Sequence, residues 1–231
     1  MPTGVRHESV SVRGKEGFPR ASPASLLLLV KKEKEARKKV YAANRFARGA
    51  MVCPSCQYVL EESAAECPKC GFCGQISVEK FPYPPPALGP VLDPNQYLSK
   101  GEKAAIIKKV QTLQKRLPQV RFLNCLVPLG DEVNLREFGF WLLNAGQLKE
   151  GDEAKTFAVL FLIDPKGKMI SVTVGYGLDA LVMDTQWVQV CESCRDLCYR
   201  QKFGAGIETF LNSAFELLSE RAIAIQKEVK K

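Results

Sequence analysis

Residues 157–184, FAVLFLIDPKGKMISVTVGYGLDALVMD, constrain the fold more than any other stretch of the chain. The unbroken apolar run Phe157–Ile163 is the length of a strand and too short for a buried helix, so it reads as a strand covered on both faces. Asp164-Pro165-Lys166-Gly167 is a turn sequence, and Met169–Val174, rich in β-branched residues, is its returning partner and reads as a second buried strand. The second strand empties into Gly175-Tyr176-Gly177-Leu178-Asp179, and a helix begins near Asp184. Strand, turn, strand, glycine turn and helix make the centre of a small α/β domain.

The chain after Tyr97 supplies the covering elements. Ser99-x-x-Glu102 is a capping box that opens a helix with Ile106, Val110, Leu113 and Leu117 on one face, stopped by Pro118. Val120–Leu129 reads as a strand. Asn134-x-x-Glu137 caps a second helix carrying Leu135, Phe138, Trp141 and Leu142, ended by Gly146. After the two strands, a third helix starts at Asp184, and residues 206–225 hold a fourth with Ile207, Phe210, Leu211, Ala214, Phe215 and Leu218 as its apolar stripe. The order α-β-α-β-β-α-α predicts a small central sheet flanked by helices, an α/β/α sandwich, over residues 97–226, with a short basic tail at 227–231.

Ahead of this domain, residues 51–76 carry Cys53-Pro-Ser-Cys56 and, ten residues on, Cys67-Pro-Lys-Cys70-Gly. Each C-x-x-C lets two thiolates grip one metal from a tight turn, and two such knuckles supply the four tetrahedral ligands of a structural Zn²⁺. A piece this short buries too little to fold alone, so the metal would supply its folding free energy. An iron site of the same ligand type and a redox dithiol are the alternatives, and Cys73 is a spare that could replace Cys70. Residues 77–96, with Pro-Tyr-Pro-Pro-Pro at 82–86, read as a semi-rigid spacer that keeps the ribbon and the α/β domain separate.

The net charge of +8 belongs to one end. Of the 33 Lys and Arg, 12 lie in residues 1–50 beside 4 of the 25 Asp and Glu, leaving 21 of each sign in residues 51–231. The arm reads as solvated or disordered, with a possible basic helix over 26–48, and the composition change at Met51 makes that residue an alternative start. A charge confined to the arm weakens nucleic-acid binding by the whole protein and leaves contact through residues 1–76. No apolar run reaches the ~20 residues of a membrane span. Nine cysteines without a secretion signal point to a reducing, cytoplasmic setting.

Several patterns offer chemistry. Cys194-x5-Arg200 matches the cysteine-phosphatase spacing, but it falls where Trp187, Val190, Cys191, Cys194, Leu197 and Cys198 share one helical face, so it reads as core. Three cysteines on that face are also a conceivable metal set. Gly175-x-Gly177-x-x-Ala180 is half of a dinucleotide fingerprint without the βαβ context that would give it meaning, and its glycines read as a sharp turn. The only histidine, His7, lies in the arm. There remain Asp179 and Asp184, at the carboxyl end of a strand, as a candidate Ca²⁺ or Mg²⁺ site that would orient water and phosphate. Asp184 is equally suited to capping its helix, and Asp152 and Asp164 would join only if the fold brings them close.

Val174-Gly-Tyr-Gly-Leu-Asp179, Leu181-Val-Met-Asp184, the apolar strand Phe157–Ile163, Leu98-Ser99 and Tyr199-Arg-Gln-Lys-Phe-Gly-Ala-Gly-Ile207 together resemble the TPM domain family. That family includes thylakoid-lumen proteins of photosystem II repair described as acid phosphatases, bacterial envelope proteins and a nematode receptor modulator. The resemblance implies an α/β domain and raises phosphomonoester hydrolysis through Asp179 and Asp184. Where the family has Asp-Asn-Gly entering the central strand, this chain has Thr156-Phe157-Ala158, and the family's Glu after the glycine turn is Asp179. The expectation is therefore a binding or scaffold module with a protein partner and a structural zinc. A weak metal-dependent phosphatase is the alternative, and nucleic-acid contact through ribbon and arm the third reading.

Overall fold

In a computed structural model of the chain, residues 52–229 are described, apart from Glu62, Ser63, Asp131 and Ala180. The basic arm, its expected helix and the start at Met51 lie outside the described residues. After the knuckles come α1 (Gly74–Lys80), β1 (Ala87–Leu88), β2 (Val91–Leu92) and α2 (Lys100–Arg116). Then follow β3 (Arg121–Leu126), α3 (Leu135–Ala145), β4 (Gln147–Leu148) and a 3-10 helix over Asp152–Phe157. The chain continues with β5 (Ala158–Asp164), β6 (Met169–Val174), the one-turn helix α4 (Tyr176–Asp179), α5 (Asp184–Tyr199) and α6 (Phe203–Val229).

The local signals act where the sequence puts them. Ser99 Oγ accepts from the Glu102 N–H at 3.2 Å while the Ser99 N–H donates to the Glu102 carboxylate at 2.9 Å, closing the capping box of α2. Asn134 caps α3 by accepting from the Arg136 N–H at 3.1 Å. At α5 the expected cap is displaced by one residue. Met183 holds the N-cap position and its N–H donates to Gln186 Oε1, which makes Asp184 the first residue of the helix.

The main sheet has the order β2-β3-β5-β6. β2, β3 and β5 run parallel, and β6 returns antiparallel to β5 with Val159 opposite Val174 and Asp164 opposite Met169. All seven residues of β5 are buried. The reading of Met169–Val174 as a buried strand needs correction: β6 has one neighbour and forms the edge, so its residues are half-buried and Met169 is exposed.

Helices cover both faces. Phe122, Leu126, Val159, Phe161 and Ile163 point into one core with α2, α5 and α6, where the Phe161 and Phe210 rings stack at 3.9 Å. The alternate residues Leu123, Cys125, Leu160 and Leu162 meet α3 on the other face. The crossovers through α2 and α3 step in the same direction along the sheet yet use opposite faces. They therefore have opposite hands, one of them the rare left-handed form. The consequence for the site is direct: α3 and α5 flank the edge strand from opposite sides.

Residues 77–96 are more than a spacer. Pro82–Pro85 are exposed, but Phe81 is buried between Phe138 and Trp141, with ring centroids at 5.3 and 5.9 Å. Leu88 is buried, β1 pairs with β4, and β2 adds a strand to the main sheet. Apolar residues between the prolines anchor the segment to the α/β core.

Candidate functional site

The two knuckles repeat one backbone design. The Gln57 N–H donates to the Cys53 carbonyl and the Cys53 N–H to the Tyr58 carbonyl, both at 2.9 Å. The Gly71 N–H donates to the Cys67 carbonyl and the Cys67 N–H to the Phe72 carbonyl, at 2.8 and 2.9 Å. Matching positions take left-handed backbone, with φ +61° at Gln57 and +71° at Gly71. Glycine there fits the geometry; the glutamine does so at some cost.

These turns converge the thiols of Cys53, Cys56, Cys67 and Cys70, whose sulfurs all lie within 4.8 Å of one another. Cys53 and Cys70 are 3.7 Å apart, and Cys56 and Cys67 3.6 Å. A tetrahedral ion with ~2.3 Å metal–sulfur bonds needs sulfur edges of about 3.8 Å, so the set fits a closed four-thiolate site. Burial pushes the Cys53 thiol up to about 12. Burial also acts on Cys67, but the N–H groups of Cys70 and Lys69 outweigh it and bring that thiol down to about 7. Cys73 stands outside the group, as the N-cap residue of α1. The knuckles rest on α3 through Phe72 and Phe140, whose rings meet edge to face at 5.6 Å.

A cleft of about 580 Å³ runs along β6, open to solvent. Its floor is Ile170–Val174, one wall is α3 with Pro54 and Gln57 of the first knuckle, and the other is α5. Asp179 and Asp184 both line it, the first half-buried and the second exposed. Because β6 runs antiparallel, their end of the cleft is the amino end of the parallel strands. Asp164 sits at the opposite end of β5, where its Oδ1 accepts from the N–H groups of Leu129, Lys166 and Gly167. Asp152 pairs with Lys155 at 2.7 Å. Neither joins Asp179 and Asp184. Among the described residues the four cysteines are the one group of three or more potential ligands brought within coordinating reach.

The glycine turn is explained by close approach. Neither Gly175 nor Gly177 has positive φ. A Cβ on Gly175 would collide with the Lys155 carbonyl and lie 2.5 Å from that of Thr156, and one on Gly177 would lie 2.7 Å from the Phe157 ring. The cysteine-phosphatase spacing dissolves as well: Cys194 is buried within α5 and Arg200 caps that helix's end. Cys191 lines the cleft, but burial pushes its thiol up to about 12, so it is protonated at neutral pH and a poor nucleophile.

The cleft's two arginines, which line it together with Lys155, went unread in the sequence. Arg136 stands in the first turn of α3 and Arg195 near the last turn of α5, so both lie toward the Met169 end. With its amide oxygen turned toward α3, Gln57 accepts from the Arg136 guanidinium and ties knuckle to helix. A cation in a helix's first turn opposes the helix dipole, and that was the one local signal available.

The TPM domain sequence profile matches residues 91–217, more than half of the chain. A comparison with curated proteins finds no match. Among solved structures, the chain is similar to the N-terminal domain of the cg2496 protein from Corynebacterium glutamicum, at 11% identity, covering 55% of this chain and 78% of that one with a TM-score of 0.45. It is also similar to the N-terminal domain of a P. gingivalis protein, at 15% identity, covering 62% and 88% with a TM-score of 0.47. The profile match, which spans the four helices α2, α3, α5 and most of α6 and the glycine turn, shows the family: the chain belongs to the TPM domain family.

Proposed function

We propose that this chain is a binding or scaffold module in which a structural zinc shapes one wall of the cleft that receives a protein partner. The observation that carries the reading is that the first knuckle, held by Cys53 and Cys56, itself lines the cleft beside β6, α3 and α5. A closed four-thiolate site has no open coordination position for substrate, so its ion serves geometry. The sulfur spacing suits Zn²⁺, and nine free thiols fit a reducing compartment such as the cytoplasm.

A second reading has support of its own. Asp179 and Asp184 line one end of the cleft, and Lys155, whose carbonyl meets Gly175 at that end, lines it too, so carboxylates and a cation stand together as a metal-assisted phosphomonoester hydrolysis needs. The deciding experiment measures phosphomonoester turnover by the zinc-loaded full chain with Ca²⁺, Mg²⁺ or EDTA, beside the Asp179→Asn/Asp184→Asn double variant. No turnover above buffer, with one zinc per chain, is expected of the binding module. Divalent-dependent turnover lost in the variant would make the protein a phosphatase.

A further inference from the structure

The free edge of β6 is an unusual thing to leave open. Its register with β5 fixes which backbone groups face outward. The Gly175 N–H donates to the Ala158 carbonyl at 2.8 Å, so Gly175 and Ala158 form a hydrogen-bonded pair. Alternation then makes Thr173 and Ser171 bonded pairs with Leu160 and Leu162, while Val174, Val172 and Ile170 belong to non-bonded pairs. The N–H and C=O groups of those last three residues point away from β5, into the cleft. No strand among the described residues pairs with them.

Proteins usually blunt such an edge with proline, a bulge or an inward charge. β6, Met-Ile-Ser-Val-Thr-Val, has none of these and is instead strongly β-forming. Its protection is recession between α3 and α5, in a cleft of about 580 Å³ that is open to solvent. The rim adds apolar surface at Val188, 55% exposed, and Tyr176, 40% exposed. Two acidic and two basic side chains are ordered along the cleft, beside Lys155, which is paired with Asp152 at 2.7 Å, and Glu192, one turn before Arg195. α5 runs antiparallel to β6, so Asp184 lies at the Val174 end and Arg195 at the Ile170 end, where Arg136 faces it from α3.

We propose that an extended segment of a partner protein adds to β6 as a fifth strand, running antiparallel to it, with a basic residue toward Asp184 and an acidic residue about five positions on toward Arg136 and Arg195. The inference rests on the binding-module reading and names its partner's chemistry. Six outward backbone groups supply the hydrogen bonds, the apolar rim receives side chains of one face, the charges place the basic end at Asp184, and the more stable antiparallel pairing sets direction.

The test uses the zinc-loaded full chain and two pools of capped hexapeptides with β-branched or small polar centres. One pool is Lys-first and Glu-last, the other reversed. The Lys-first pool is expected to bind at least about tenfold more tightly and to slow amide exchange of Ile170, Val172 and Val174 while leaving Ser171 and Thr173 unchanged. N-methylation of alternate peptide amides should abolish both effects. Val172→Pro, which deletes one outward donor without touching the β5 ladder, should bind at least about tenfold more weakly. Equal binding of the two pools, or of the N-methylated peptides, overturns the proposal even if Val172→Pro fails to fold. Peptide binding that slows exchange at Val188 and Arg195 but not at the three β6 amides overturns strand addition while leaving the cleft a binding site. A dimer whose β6 amides are protected without peptide assigns the edge to a second copy and overturns it too.

Discussion

Replacing Gly175 by alanine tests why the family's glycine turn has its sequence. A methyl group there would overlap the Lys155 carbonyl and sit 2.5 and 2.7 Å from the Thr156 carbonyl oxygen and carbon. These are main-chain atoms at the entrance to β5, unable to swing aside like a side chain. Relief requires the start of β5 and the end of β6 to part by about an ångström, at an overpacking cost of about 1–3 kcal/mol. The Gly175-to-Ala158 hydrogen bond, 2.8 Å long, goes with it and adds about 1 kcal/mol. A total of about 2–4 kcal/mol lowers the melting temperature of a domain this size by roughly 5–15 °C. The control is Gly101→Ala, where nothing lies within 4 Å and helix propensity favours alanine by up to about 1 kcal/mol. Thermal unfolding of both variants, followed by circular dichroism, reads the difference. A Gly175→Ala protein melting within about 2 °C of the parent would refute the close-approach argument. Lost ligand binding with that unchanged stability would show that the glycine serves a bound group.

In an Arg136→Ala background, where the tie from Gln57 to α3 is already gone, Gln57→Gly removes a side chain from left-handed backbone, and the relief of about 1 kcal/mol should tighten zinc binding about fivefold in a competition titration. Phe81→Ala, in the segment that reads as a spacer, should cost about 3–4 kcal/mol in denaturant unfolding, because the ring is 3% exposed beside Phe138 and Trp141. Asp93 is buried, but N–H bonds from Leu98 and Tyr97 and the Lys103 ammonium at 3.1 Å outweigh burial and hold its carboxyl below the usual range. Its contribution is therefore present above the unfolded-state value near 4 and lost as pH falls through the lower folded one. Asp93→Asn should destabilise by about 2–3 kcal/mol at pH 7, a gap that closes in unfolding measured toward pH 2.

Strong local signals were legible and long-range ones were not. The C-x-x-C spacing pointed to the four converging thiols, because two knuckles of matching length present their sulfurs to one point, but it left Cys73 as a spare, which the fold places at the N-cap of α1. β5 was legible because a strand buried on both faces has no polar alternation. The position of β6 was not, since hydrophobicity reports burial and not the number of neighbours. The two-residue strands β1, β2 and β4 escaped for the same reason, their pairing being fixed by partners far along the chain. The helix start at Asp184 was legible, while its cap lies one residue earlier, at Met183, the ordinary uncertainty of a helix end. The cleft's arginines come from separate helices, and no sequence spacing brings them together.

The antiparallel return of β6 links these points. In open α/β sheets ligands gather outside the carboxyl ends of the parallel strands. Here that end of β5 is closed by the Asp164 turn, where one carboxylate oxygen satisfies three backbone donors. The glycine turn, read from sequence as a strand's carboxyl end, lies at the other pole. What stays accessible is the side of the sheet, with α3 and α5 on opposite faces of its last strand. α3 is held in turn by the knuckle through Phe72–Phe140 and Gln57–Arg136. The folding free energy of an ion held by the four cysteines would thereby reach the cleft through one helix, although none of those cysteines belongs to the TPM match at 91–217.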